Sequence, residues 1–361
     1  MATSREIITS LLAKEISERL GFHESFWPFL FENHWHAEGY PQGVSPEEHF
    51  NLDIQGIGGF TTPEPRPDLV ATVEENDEWK ITRNGWGSSF KYWKHKAGVP
   101  EHIDFMVTSP EVWHKEFRDA VVAIDVRTMF NLDERRAEYA KHMASDRFVA
   151  CCGIHIFEEM RRVMGDYAML ESLLLEPGWI HDFNDVITQK NIEFYDYFFR
   201  EIGLPNGMFI FEDLGYTAAP FASPACHREL VMPYHKKLFG FFKDHNLPII
   251  MHTCGDFRPH LDAIVESGVD CIQTLEAKTG MNVVTLAEQW KDKLCFMGNI
   301  DVRVLESGDR KRIEEECLSK INGMKALRAP YVFMSDHSIS TDVKLADYEF
   351  MCELFWKNCK Y

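Results

Sequence analysis

From about residue 121 onward, short apolar runs alternate with stretches of helical periodicity, and this alternation restricts the fold more than any other feature of the chain. The runs cover residues 148–153, 208–211, 247–252, 269–274, 294–298 and 331–334. Helical patterns lie between them over 224–245, 257–267, 283–291 and 309–327. Strand and helix taken in turn predict a parallel sheet, because parallel neighbours need a long crossover. Polar clusters close several runs: Glu212-Asp213, His252-x-Cys254, Glu276, Asn299-x-Asp301 and Ser335-Asp336-His337. In a TIM-type barrel such strand ends share one rim, where barrel enzymes place their chemistry. A doubly wound sheet alternates in the same way, but the chain has no G-x-G-x-x-G after a first strand and no Walker A loop. The expected architecture is α/β: a TIM-type (β/α)8 barrel with an N-terminal helical and hairpin elaboration.

The elaboration is expected over residues 1–120 and the barrel with its site over 121–361, as one structural unit. Ile7, Ile8, Leu11, Leu12 and Ile16 recur at helical spacing and predict an amphipathic helix over 4–19. Residues 22–40 are crowded with aromatics, and the Pro-rich stretch 61–67 reads as loop. Asn84-Gly85 between strand-like flanks predicts a hairpin over 77–93.

A chain of 361 residues with 45% hydrophobic residues can build one large barrel. Its net charge of -19 repels nucleic acid and anionic membrane surfaces, which leaves a small molecule or another protein as partner. Nine scattered cysteines do not form a secreted framework, residues 1–16 lack the apolar stretch of a signal peptide, and no run approaches the roughly 20 apolar residues of a membrane span. These features predict a reduced, cytoplasmic protein. Nine thiols would also be tolerated in anaerobic metabolism.

His252-x-Cys254 is the sharpest chemical signal. Alternate residues of a strand share a face, and Gly255 then lets the chain turn away. An imidazole and a thiolate on one rigid face suit zinc. The competing reading is a packed histidine and a buried thiol. Glu212 and Asp213 could act as acid and base or support a metal, or Asp213 could cap the following helix. Asn299 and Asp301 could bind substrate or brace the rim. Trp86, Tyr92 and Trp93 are candidates for a ring-stacking wall, with ordinary packing as the alternative. Cys151 and Cys152 are adjacent and cannot both face one metal; they, Cys271, Cys295 and Cys317 read as core.

The stretch from Phe211 to Gly215, then Ser223-Pro-Ala-Cys-His-Arg-Glu-Leu-Val-Met-Pro-Tyr-His-Lys-Lys237, resembles the uroporphyrinogen decarboxylase superfamily. So do His252-x-Cys254-Gly255 and Gly298-Asn299-Ile300-Asp301, with order and spacing that fit over about residues 120–355. The resemblance implies a TIM-type barrel. His-x-Cys at this strand end is similar to the corrinoid-dependent methyltransferases of that superfamily, in which the pair and a downstream Cys bind zinc. The Arg-Gln-Ala-Gly-Arg motif of the porphyrinogen decarboxylases is absent, which speaks against a polycarboxylate substrate. Where the downstream Cys is expected, this chain has His337, so the implied metal set is His252, Cys254 and His337, with Asp336 or Glu212 as an extra ligand.

One thiolate and two imidazoles would leave zinc more positive than two thiolates do, and a stronger Lewis acid. That favours polarising an ether oxygen. The expected activity is transfer of a methyl group from a methoxylated substrate, an aromatic ether among the candidates, to a reduced corrinoid. Zinc would act on the leaving oxygen with Asp213 or Glu212 as acid. No Asp-x-His-x-x-Gly corrinoid loop occurs, so cobalamin would arrive on a separate corrinoid protein docked over the barrel mouth. Two other readings stand beside this one: a decarboxylase or lyase of a small acid on the same barrel, with or without metal, and a non-catalytic binding module.

Overall fold

The computed structural model describes residues 2–27, 29–61, 63–95 and 98–361, with only the backbone of Asn33. Eight parallel strands make one sheet: β1 (Gly21–Phe22), β2 (Ile54–Gly58), β3 (Phe148–Ile154), β4 (Gly207–Phe211), β5 (Ile249–Thr253), β6 (Cys271–Thr274), β7 (Cys295–Gly298) and β8 (Tyr331–Phe333). Their order is β1-β8-β7-β6-β5-β4-β3-β2. The sheet curls until its edges meet, where the Asp53 N–H donates to the Phe22 carbonyl at 2.7 Å. The result is the expected TIM-like α/β fold.

The six apolar runs become β3 to β8. The first two strands lie inside residues 1–120, so the division expected at residue 120 is not a division of the sheet. Neither strand carries a strong pattern: β1 is two residues long, and β2 is Ile-Gln-Gly-Ile-Gly. The predicted helix over 4–19 stops early, as α1 (Ser4–Leu12), because Lys14 takes a left-handed backbone at φ 64°. The pattern over 224–245 splits at Val231 into Pro224–Leu230 and Met232–Asp244. Pro233 lacks an N–H and suits only the first turn of the second helix.

Strand alternation sorts the core. Ile54, Phe148, Ala150, Phe209, Ile250, Cys271, Cys295, Met297, Val332 and Met334 form one buried cluster with Ile7, Ile8, Leu11 and Leu12 of α1. This cluster is the barrel interior, and α1 plugs its N-terminal end. The outward residues join the larger cluster beneath the surrounding helices. Cys151, Cys271, Cys295 and Cys317 are buried and all nine cysteines are free.

Most of the aromatics of residues 22–40 pack into the core, while Phe29 is exposed. Phe26, Phe31, Trp35 and Tyr40 pack with Phe50 and Tyr348 at ring separations between 4.8 and 6.3 Å. Of the expected loop over 61–67, Thr62 lies outside the described residues, and Pro67–Leu69 is a 3-10 turn.

The hairpin is real and larger than expected. Strands Ala71–Glu75, Trp79–Arg83, Ser89–Trp93 and Glu101–Asp104 form a separate antiparallel sheet. The connection is not a two-residue turn: Arg83 pairs with Ser89, and the Asn84 side chain accepts from the backbone N–H groups of Trp86 and Ser88. Trp86 then points inward, 1% exposed, stacked near Trp113 and Phe117. It is a packing residue, not a substrate wall. Trp86→Ala is expected to cost about 3–5 kcal/mol of stability, as large aromatic truncations in cores do. A urea titration showing a loss under 1 kcal/mol would contradict this.

Candidate metal centre and cleft

On β5, Ile250 faces the barrel interior, so His252 two residues on faces the same way, nearer the C-terminal rim. Cys254 follows on that face, and its Sγ lies 3.4 Å from His252 Nε2. Gly255 turns the chain away at φ 74°, where a Cβ would come within 2.2 Å of the Gly215 backbone. The neighbouring β4 supplies the third group. Phe211 pairs with His252 in register, and Asp213 lies two residues further on. Its Oδ1 is 3.4 Å from His252 Nε2 and accepts the Cys254 N–H at 2.9 Å.

Ligand atoms of Asp213, His252 and Cys254 therefore all lie within 4.8 Å of one another. Across the β5–β6 register His252 pairs with Gln273, and Nδ1–H of the imidazole donates to Gln273 Oε1. That bond fixes the ring and turns Nε2 toward the cluster, as supporting residues do around metal-binding histidines. The chemistry of the donor set, one carboxylate, one imidazole and one thiol, fits zinc.

The electrostatics are those of a mutually stabilising triad. Burial opposes a charge on His252, but the Cys254 sulfur and the Asp213 carboxylate hold its pKa well above the usual value. Asp213 is pushed up by burial and pulled down more strongly by His252 and the Cys254 N–H, ending at about 2. Burial raises the Cys254 thiol, against the pull of His252.

His337 does not join the cluster. Its ring lies 5.5 Å from that of Trp27, and Nδ1 is 3.4 Å from the Ser338 carbonyl. Asp336 accepts from the Ala277 and Val302 N–H groups and braces two loops. Glu212 also falls outside, for a geometric reason: neighbours on a strand point to opposite sides. It is fully buried and accepts from the Phe157 and Glu158 N–H groups at the start of helix α2 (Ile156–Leu175, broken at Gly165) and from His235 Nε2. Asn299, buried, accepts the Val283 N–H and donates to the Leu275 and Met281 carbonyls. Asp301 caps Val302–Glu306 and pairs with Arg303 at 2.7 Å. Both residues brace the rim.

Asp213 and His252 of the triad open on a cleft of about 370 Å³ to which Phe211, Phe90, Tyr92 and Glu158 also contribute. Phe90 and Tyr92 come from the antiparallel sheet, so the sheet does overhang the site. Trp93 is not among the lining residues; its Nε1–H donates to Glu101 and Lys91 sits over its ring. Sequence reasoning missed Gln273 and Glu158. Gln273 is a lone amide in a buried strand, which was a usable signal. Glu158 sits on helix α2, where an acidic first turn looks ordinary. Burial pushes its pKa to about 8 although Arg161 lies at 3.0 Å. The folded chain therefore holds a proton there that the unfolded chain releases from about 4.5 upward. Stability should fall as pH rises from about 4.5 to 8, and Glu158→Gln should flatten that slope. Denaturation curves across this range check it, and an unchanged slope refutes it.

Residues 161–357, more than half of the chain, match the family Uroporphyrinogen decarboxylase (URO-D). The chain belongs to the uroporphyrinogen decarboxylase family. Among solved structures, a methyltransferase from Methanosarcina mazei matches with a TM-score of 0.67 and 12% sequence identity, covering 99% of both chains. At that identity the likeness concerns the fold, and it includes the N-terminal third. A Xaa-Pro dipeptidase with bound methionine in the active site covers 62% of this chain and 56% of its own at 12% identity, with a TM-score of 0.33 that carries no argument. The comparison with curated proteins returns no match. No helix among the described residues is long and apolar enough to cross a membrane.

Proposed function

We propose that this uroporphyrinogen decarboxylase family member is a methyltransferase that moves a methyl group from a methoxylated substrate to a reduced corrinoid held by a partner protein. The observation that carries the reading is the convergence of Asp213, His252 and Cys254 at the mouth of the barrel, over a cleft walled by Phe90, Tyr92 and Phe211. These three residues would hold zinc, and when bound the metal supplies Lewis acidity toward the leaving oxygen. The set differs from the sequence expectation, because a carboxylate replaces the second imidazole. Its two anionic ligands match the formal charge of a two-thiolate set. A hard oxygen donor gives less electron density than sulfur, so the metal still favours an oxygen leaving group.

The chain's own residues do the rest. Gln273 keeps Nε2 of His252 aimed at the cluster. The aromatic walls position an aryl or alkyl ether beside it. Glu158, protonated near neutral pH, replaces Glu212 as the acid that gives a proton to the departing oxygen. The -19 charge leaves a partner with a basic face as the natural carrier of the corrinoid.

The test is a methyl-transfer assay from methoxylated compounds to free cob(I)alamin with zinc-loaded protein. Methylcobalamin should accumulate. Its absence across methoxyarenes and simple methyl ethers, with zinc bound, would reject the reaction. One observation favours a second reading, a decarboxylase or lyase: Arg162 also lines the cleft and could grip a carboxylate. Release of carbon dioxide from a small acid, lost in Arg162→Ala, would select it.

A further inference from the structure

Arg161 and Arg162 are neighbours on α2, but their surroundings differ. Arg161 is committed to carboxylates: it reaches Glu158 at 3.0 Å, Asp166 at 2.8 Å and Asp213 at 3.8 Å, and its guanidinium lies over the Phe221 ring at 4.7 Å. Arg162, about 100° further round the helix, lines the cleft. It makes no hydrogen bond or ion pair among the described residues. It is half-buried, and it is the only Lys or Arg among the described residues that line the cleft.

Glu158 stands four residues before Arg162, so both project from one face of α2, one turn apart. The two do not pair, because Glu158, like Asp166 and Asp213, turns to Arg161. The chain has 57 acidic residues against 38 Lys and Arg, so the lone guanidinium does not reflect a shortage of anions. A partly desolvated arginine matches a planar anion that takes two parallel N–H bonds, and a carboxylate is such an anion. The cleft that holds Arg162 also holds Asp213 and His252 of the cluster and the rings of Phe90, Tyr92 and Phe211. Its volume of about 370 Å³ is at the lower end of small-molecule sites, which span roughly 300–1,000 Å³. One small molecule therefore fills it and meets both the arginine and the cluster.

We propose that Arg162 anchors a carboxylate of the substrate, so that the cleft selects methoxylated arene carboxylates over uncharged methoxyarenes. The carboxylate takes the guanidinium, the ring lies between the aromatic walls, and the methoxy group turns toward Asp213 and His252. The carboxylate is a handle and stays on the product. As a substrate subsite this rests on the methyl-transfer reading; as an anion site it does not. The decarboxylase reading uses the same arginine differently, because there the carboxylate is the group that leaves.

The experiment is a calorimetric titration of the full-length protein at pH 7, with and without added zinc, using 4-methoxybenzoate and, separately, 1-methoxy-4-methylbenzene, in which a methyl group replaces the carboxylate. The wild type should bind the benzoate at least about tenfold more tightly, the scale of a hydrogen bond to a charged group. Arg162→Met, which keeps the length of the side chain without its charge, should bring that ratio close to one. Arg162→Lys, which keeps the charge without the fork, should restore part of it. Equal binding of the two compounds by the wild type overturns the proposal, as does binding of neither. A preference that survives in Arg162→Met also overturns it, since the carboxylate is then held by zinc or by another group. Release of carbon dioxide from the bound benzoate overturns the handle and gives Arg162 to the decarboxylase reading. Preference for the benzoate without methyl transfer to cob(I)alamin keeps the anion site and rejects the reaction, whereas methyl transfer without the preference keeps the reaction and rejects the anion site.

Discussion

Purified with zinc, the wild-type chain is expected to hold one ion, and His252→Ala or Cys254→Ala to hold none. Methyl transfer should disappear with the metal. The argument is the geometry: His252 Nε2 sits 3.4 Å from both the Cys254 sulfur and the Asp213 carboxylate, so removing either member of the His-Cys pair leaves too few donors for a closed set. Asp213→Ala should act in the same direction. Gln273→Ala is the graded control. It leaves all three donors but frees the imidazole to rotate, and loss of such a supporting bond costs about 10–100-fold in metal affinity. His337→Ala separates the structure from the sequence expectation, since a ring lying against Trp27 contributes no donor. Competition with a chromogenic chelator, beside elemental analysis, reads all five variants. Full zinc retention in Asp213→Ala together with loss in His337→Ala would show that the metal uses the other histidine.

The second large effect concerns stability rather than chemistry. Asp53→Ala is expected to destabilise the fold by about 3–5 kcal/mol, the cost of removing one partner of a buried ion pair. Asp53 is fully buried at the seam where the barrel closes. Its carboxylate takes two hydrogen bonds from Arg19 at 2.7 Å, one from the Phe22 N–H at 2.8 Å and one from the Ser4 hydroxyl at 2.5 Å. Its own backbone bonds β1 through Phe22 and β3 through Phe148. One side chain thus ties α1, β1 and β2 together, and truncation leaves a half-buried guanidinium and an orphaned N–H. A urea midpoint shift measures it, and a loss under 1 kcal/mol would mean that the seam is held by the apolar cluster around α1 instead. The Asp213, His252 and Cys254 cluster lies at the opposite end of the strands, so the folded fraction should bind added zinc as the wild type is expected to.

The rim site was legible wherever two residues belong to one strand. The His252-x-Cys254 pair needed only the period of two, which is local. Asp213 was singled out as an acid, and its place among the donors depends on β4 lying beside β5 in a register that sets Phe211 opposite His252. Glu212, its neighbour, fails for the same period that made His-x-Cys work. His337 is expected only from the family resemblance, in the place of the downstream Cys, and the path after β8 carries it past the cluster to Trp27. Trp86 and Tyr92 looked alike in sequence, but the Asn84 turn aims one into the core and the strand leaves the other facing the cleft.

The sequence by itself determined the class of fold, six of the eight strands, the apolar face of α1 and the His-Cys pair, because each is written in periods of two or 3.6 residues within one segment. Only the tertiary structure decided that Asp213 joins the His-Cys pair, that Gln273 supports His252, and where Glu158 and the Asp53 seam lie. Each of these joins residues from different strands or loops. Their chemistry follows from distance and burial, and neither quantity exists until the sheet has closed.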